Sequence, residues 1–171
     1  MKTNYDELNE FGIKELRDGL TLEGLKNCNR YSWILDENVE IEDAILGLGP
    51  QRELVWYDGI WYDGIWRSDN DPITGHNWFG GVWKNGTWQH GQFAGGIWED
   101  GVWENGTFSD AVWKNGTWED GYWESGSWEN GHWVNGCWEG SGSGWIKGTF
   151  EDEEQEYPWD KNNEWLERMD Y

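Results

Sequence analysis

The groups of this 171-residue chain that could carry chemistry are three histidines, two cysteines and 34 acidic residues. His76, His90 and His132 fall in variable slots of a repeat described below, and no two of them have the HExxH spacing of a zinc pair. They read as ordinary surface positions. Cys28 and Cys137 lie far apart with no Cys-x-x-Cys pattern, so neither a disulfide framework nor a zinc site follows from them. Asp69, Asn70 and Asp71 could hold a calcium ion, but their spacing is not that of an EF-hand and a plain turn accounts for them. Acidic pairs abound because the repeat places acids on a solvated face, and no base, nucleophile or phosphate loop stands beside them. The expectation is a protein that is not an enzyme, with no catalytic residue, no cofactor and no metal.

Charge narrows the partners. Lys plus Arg number 12 against 34 acids, a formal charge of −22. Nucleic acid and anionic membrane both demand a basic footprint, so direct nucleic-acid binding and membrane association are not expected. No apolar run reaches the length of a bilayer span, and the N-terminus lacks the order of a signal peptide. An intracellular location, without secretion by a signal peptide, is the default expectation.

What must position any site is a five-residue repeat. From Trp78 to Trp138 an aromatic residue stands at every fifth position, and the spacing recurs at Trp56, Trp61 and Trp66 and at Trp145 and Phe150. The twelve positions from Trp66 to Trp78 read as two pentads plus two residues, and the seven from Trp138 to Trp145 as one pentad plus two. The unit is Gly-x-Trp-x-Asn/Asp, as in GVWKN and GTWED, often with a β-branched residue before the aromatic. Five residues advance about 500° round an α-helix, so the aromatics would spiral over every face. Hairpins with Asn-Gly turns would leave strands of about three residues, shorter than the usual five or six. A β-solenoid, one pentad per side and coils about 4.8 Å apart, buries each Trp between neighbours above and below.

Aligning residues 96–115 with later segments gives 7 identities at an offset of fifteen and 10 at twenty. The larger number favours four pentads per coil, with Glu99 stacked over Glu119 and Glu139. The fold expected is therefore mainly β: a repeat β-solenoid of about four pentads per coil and a Trp-filled core, with short, partly helical, non-repeat ends. Its parts are an N-terminal helical segment (1–30), an irregular capping coil (31–55), the Trp/Gly pentad solenoid (56–150) and an acidic C-terminal segment (151–171).

The pentad, with a small residue two before a large central one, resembles the pentapeptide-repeat proteins over about 95 residues. That resemblance implies a right-handed square β-helix, although the family usually carries Leu or Phe and Ala where this chain has Trp and Gly. Runs such as GTWEDGYWESGSWENG are also similar to Trp/Gly pentad repeats of tailed bacteriophages and large marine viruses. Short Gly-x-Trp-x-Asn-Gly pieces resemble membrane-occupation-and-recognition-nexus repeats, whose longer period is missing. The resemblances imply a non-enzymatic structural or protein-interaction module, virion-associated, that uses a rigid solenoid as spacer or docking surface for protein partners in a larger assembly. The location they imply is a virion or host cytoplasm. Some pentapeptide-repeat proteins mimic DNA, so the alternative is an acidic inhibitor of a nucleic-acid-handling enzyme. Net charge divides as −6 over residues 1–55, −9 over 56–150 and −7 over 151–171.

The C-terminal segment carries too many large apolar groups for a solvated tail. Trp159, Trp165, Leu166 and Met169 are its candidate partner-binding residues, with the last three on a short helix. Trp165 and Met169 stand four apart and would share one helical face. Replacing both with Ser distinguishes two roles. Aggregation in a sedimentation assay marks the segment as a cap on the last coil, whereas a soluble protein detached from its assembly marks it as a partner anchor. Aggregation is the expected outcome.

Overall fold

The computed structural model describes residues 4–67, 75–139 and 144–151. From Leu54 onward the chain winds as a parallel β-solenoid. Most pentads contribute a two-residue strand that ends on the aromatic, as in Val102–Trp103 and Thr117–Trp118. Such strands persist because each is hydrogen-bonded to the coils on both sides. The residue after an aromatic donates its N–H to the aromatic's carbonyl one coil earlier, as Glu104 does to Trp88 at 2.8 Å. The residue before it donates to the corner glycine's carbonyl, as Thr117 does to Gly101 at 2.9 Å.

The coil has three sides, not four. Trp103 pairs with Trp88 on one side and Trp118 on the other, and Trp113 with Trp98 and Trp128, a return of fifteen residues. The aromatics form three columns of six. The first side stacks Trp56, Trp78, Phe93, Phe108, Trp123 and Trp138. The second stacks Trp61, Trp83, Trp98, Trp113, Trp128 and Trp145. The third stacks Trp66, Trp88, Trp103, Trp118, Trp133 and Phe150.

Identity counting misjudged the coil for a definable reason. Inward positions repeat at every multiple of five and cannot tell fifteen from twenty. The extra matches at twenty came from outward residues such as Glu99 and Glu119, which lie on different sides of the triangle. The first insertion is also larger than expected. Trp56, Trp61 and Trp66 pair with residues 22 positions on, seven more than the usual fifteen, so seven residues rather than two are inserted after Trp66. Trp133 pairs with Phe150 seventeen on, so the second insertion is two residues, as read.

Ring size favours the triangle. Within each column the rings stack face to face, with centroids 4.4–5.2 Å apart, except at the end of the third, where Phe150 stacks on Trp145 of the second column at 5.0 Å. Along the chain from Trp56 to Trp145 each ring meets the next edge to face at 5.6–6.1 Å. Three indoles in this herringbone fill a triangular section, whereas four touching round a square would leave a gap at its centre and forfeit contacts. All eighteen rings except Trp145 and Phe150 are buried.

Sharp corners complete the triangle. Gly101 has φ of +120°, and a Cβ there would lie 2.3 Å from the Gly86 carbonyl oxygen one coil below. The glycine therefore serves a left-handed bend and a close stacking of corners, rather than only making room for an indole. Ala111 takes a corner position because the positive φ moves to Asp110, at 51°. Asp110 is steadied by Ser125 of the next coil, whose hydroxyl accepts from its N–H at 3.0 Å and donates to its carboxylate at 2.9 Å.

The N-terminal end is closed by a separate unit. Helix α1 (Asn4–Glu10) stops at Gly12, whose φ is +71°, and the chain continues as strand β1 (Ile13–Leu16) within the segment expected to be helical. Helix α2 (Leu22–Asn27) is capped by Thr21, whose hydroxyl accepts from the Gly24 N–H at 3.0 Å. Strand β2 (Glu40–Leu48) then runs antiparallel to β3 (Leu54–Asp63), the strand that carries Trp56 and Trp61. β1 pairs with β2 in parallel, so the first coil's edge is hydrogen-bonded rather than open. Trp33 sets its ring edge against Trp66 at 5.2 Å and closes the end of the third column.

Replacing Trp118 by Ala removes a ring stacked on both sides and is expected to cost about 3–5 kcal/mol in chemical denaturation. Replacing its exposed neighbour Glu119 by Gln is expected to change stability by less than about 0.5 kcal/mol. Equal effects at the two positions would contradict the inward assignment of the aromatics.

Candidate functional site

With the aromatics inside, each side of the solenoid offers two outward columns, one from the residue before the aromatic and one from the residue after it. On the second side the first of these is aliphatic: Ile60, Val82, Ile97 and Val112, all half-buried. The other reads Lys84, Glu99, Lys114 and Glu129 on successive coils. The sign thus alternates with the coil, where the expected four-sided coil would have stacked Glu99 on other glutamates. Lys84 pairs with Glu99 at 3.5 Å and lies 5.9 Å from the ring centroid of Tyr62.

The other two sides are acidic toward their C-terminal ends. Glu104 and Glu119 are coil neighbours on the third side, and Glu124 and Glu139 on the first. The carboxyl of Glu104 is pushed above its ordinary value, first by partial burial and then by the Glu119 charge. Tyr122 donates its hydroxyl to Glu139; that bond, with some desolvation and nearby negative charge, pushes its phenol up to about 12. Tyr57 and Tyr62 make the same kind of bond, to Asp18 and Glu42, both at 2.7 Å, and tie the solenoid to the N-terminal unit.

The histidines divide. His132 is partly exposed and contacts Thr149 Oγ1 at 2.7 Å and Glu151 Oε2 at 2.9 Å, which joins two coils of the third side. His90 is half-buried at a corner. His76, expected on the surface, is fully buried. It replaces the glycine two before Trp78 and packs among Tyr31, Trp33 and Trp66. Its Nδ1 accepts the Leu54 N–H at 2.9 Å, so the ring holds the start of β3. Its departure from the glycine slot was the available signal.

A shallow polar groove of about 460 Å³ lies where residues 50–53 meet the first side, lined by Glu53, Asn77, His90, Gln92, Thr107 and Glu124. The Glu53 carboxylate is committed to the fold, accepting from the Gln51 N–H at 2.8 Å and from Asn77 Nδ2 at 3.3 Å. Among the described residues, no group of three or more His, Cys, Asp or Glu is placed to hold a metal ion. The sequence candidates Trp159, Trp165, Leu166 and Met169, and the SDNDP turn with Asp69 to Asp71, lie outside the described residues. Among the described residues, no helix is long and apolar enough to cross a membrane. No family model, curated protein or solved structure matches the chain.

The Glu104–Glu119 pair gives a signed prediction. A carboxyl whose folded pKa is raised contributes stability that is present below the unfolded carboxyl range and lost as pH rises through the folded value. Glu119→Gln removes the neighbouring negative charge and is expected to lower the Glu104 titration midpoint in an NMR titration. Its small gain in stability is expected at neutral pH and absent well below the carboxyl range.

Proposed function

We propose that this chain is a non-enzymatic structural or protein-interaction module, a virion-associated solenoid of the Trp/Gly pentad type that serves as a rigid spacer or docking surface within a larger assembly. The observation that carries this reading is the continuous aromatic herringbone. Every coil is locked to its neighbours by three stacked rings and a parallel backbone ladder, which makes a stiff rod of fixed side-chain rows. A rod of this kind presents groups at repeated spacings of about 4.8 Å and bends little under load. The likeness of the repeat to those of tailed bacteriophages and large marine viruses supports a particle as the assembly.

One observation favours a second reading, an acidic decoy for a nucleic-acid-handling enzyme. Glu104 and Glu119 lie on the third side and Glu124 and Glu139 on the first, the two sides that meet at the corner at Asp120. That puts carboxylate rows on two adjacent sides of a narrow rod.

Affinity purification of the full chain from particle-producing cells separates the two. Recovery with particle proteins, unaffected by added DNA, is the expected result. Recovery of free protein alone would refute the assembly reading, and capture of a DNA-handling enzyme that added DNA or high salt displaces would establish the decoy.

A further inference from the structure

The second side is where this strongly acidic chain presents balanced charge. Lys84 and Lys114 offset Glu99 and Glu129, whereas the matching columns of the other sides carry Glu104 with Glu119 and Glu124 with Glu139. Two copies at −22 each therefore repel least when they meet through the second side. It also has the most continuous aliphatic column, Ile60, Val82, Ile97 and Val112, each half-buried and able to lose further surface to a partner.

Order along the column decides what that partner is. Because sign alternates with each coil, the sequence of charges is its own complement when reversed. A second copy turned end for end, about a two-fold axis parallel to the strands, sets its Glu129 opposite Lys84 and its Lys114 opposite Glu99. The same rotation sets the column before the aromatics on itself, with Ile97 against Val112 of the other copy and Val82 against its Ser127. A two-fold axis along the solenoid would instead set aliphatic rows against charged rows. We propose that the second side is a self-association surface through which two copies of this chain pair antiparallel. The pairing does not rest on the assembly reading, since it requires only the purified protein.

The surface is small. Five residues per side and five coil steps give a strip of about 16 Å by 24 Å, roughly 800 Å² counted over both copies. That is near half of a standard interface, so the dimer is a weak one, populated at protein concentrations of about 0.1–1 mM.

Sedimentation equilibrium of the full chain over that range, at about 0.15 M salt, tests the proposal with two variants of unchanged net charge. K114E/E129K places like charges opposite one another at both pairs under the end-for-end rotation, and is expected to weaken dimerisation at least tenfold. E99K/K114E keeps every pair opposite in sign, and is expected to dimerise like the parent. Circular dichroism and a denaturation midpoint near that of the parent establish that each variant is folded. The proposal is overturned if the parent remains monomeric at 1 mM, or if the two variants associate equally. It is also overturned if dimers form only after residues 152–171 are removed, which would mean that the chain's own C-terminal segment covers this side.

Discussion

Face-to-face stacking of aromatic rings across coils is the constraint from which the other features of this protein follow. An indole buries on the order of 150–250 Å², equivalent to about 4–6 kcal/mol of transfer free energy. That outweighs the roughly 1–3 kcal/mol of an unpaired buried N–H. The structure tolerates several such groups: among the described residues, the indole N–H groups of Trp88, Trp103 and Trp118 in the third column meet no acceptor. In the second column those of Trp83, Trp98 and Trp113 reach the carbonyls of Asp100, Asn115 and Asn130 at 3.0–3.2 Å. The core is thus not uniform around the triangle, and the second side is the one most fully tied across coils.

A one-dimensional array has ends, and the ends cost more than the middle because a terminal ring lacks a neighbour. The N-terminal unit meets this cost with β2 lying antiparallel along β3 and Trp33 against Trp66. His76 belongs to the same solution. A glycine there would leave the Leu54 N–H without its Nδ1 acceptor and would leave space beneath Trp33. At the other end Trp145 and Phe150 are only half-buried.

The surface inherits its pattern from the core. Once the coil returns after fifteen residues, outward residues fall into rows, and each row has a character that the linear sequence hides. Lys84, Glu99, Lys114 and Glu129 look like scattered charges in the chain but become one alternating ladder on the second side. Glu104 and Glu119 become adjacent like charges, which is why burial and repulsion together raise the Glu104 carboxyl. The character of each outward row is therefore a property of the coil number as much as of the residues.

Much of this was legible beforehand. The five-residue period with Gly and Asn or Asp at fixed offsets excluded a helix, demanded extended pieces joined by tight corners, and assigned the aromatics of the five-residue series from Trp56 to Trp138 to the interior. A period of five is silent on how many pentads close a coil, because every inward position matches at any multiple of five. Ring packing decides that number, and three edge-to-face indoles fill the section. The seven-residue insertion after Trp66 and the antiparallel β2 were equally out of reach of the sequence, and so was the burial of His76, whose one mark in the sequence is its departure from the glycine slot. Each depends on which coil lies next to which, a contact between residues far apart in the chain that only the folded solenoid brings together.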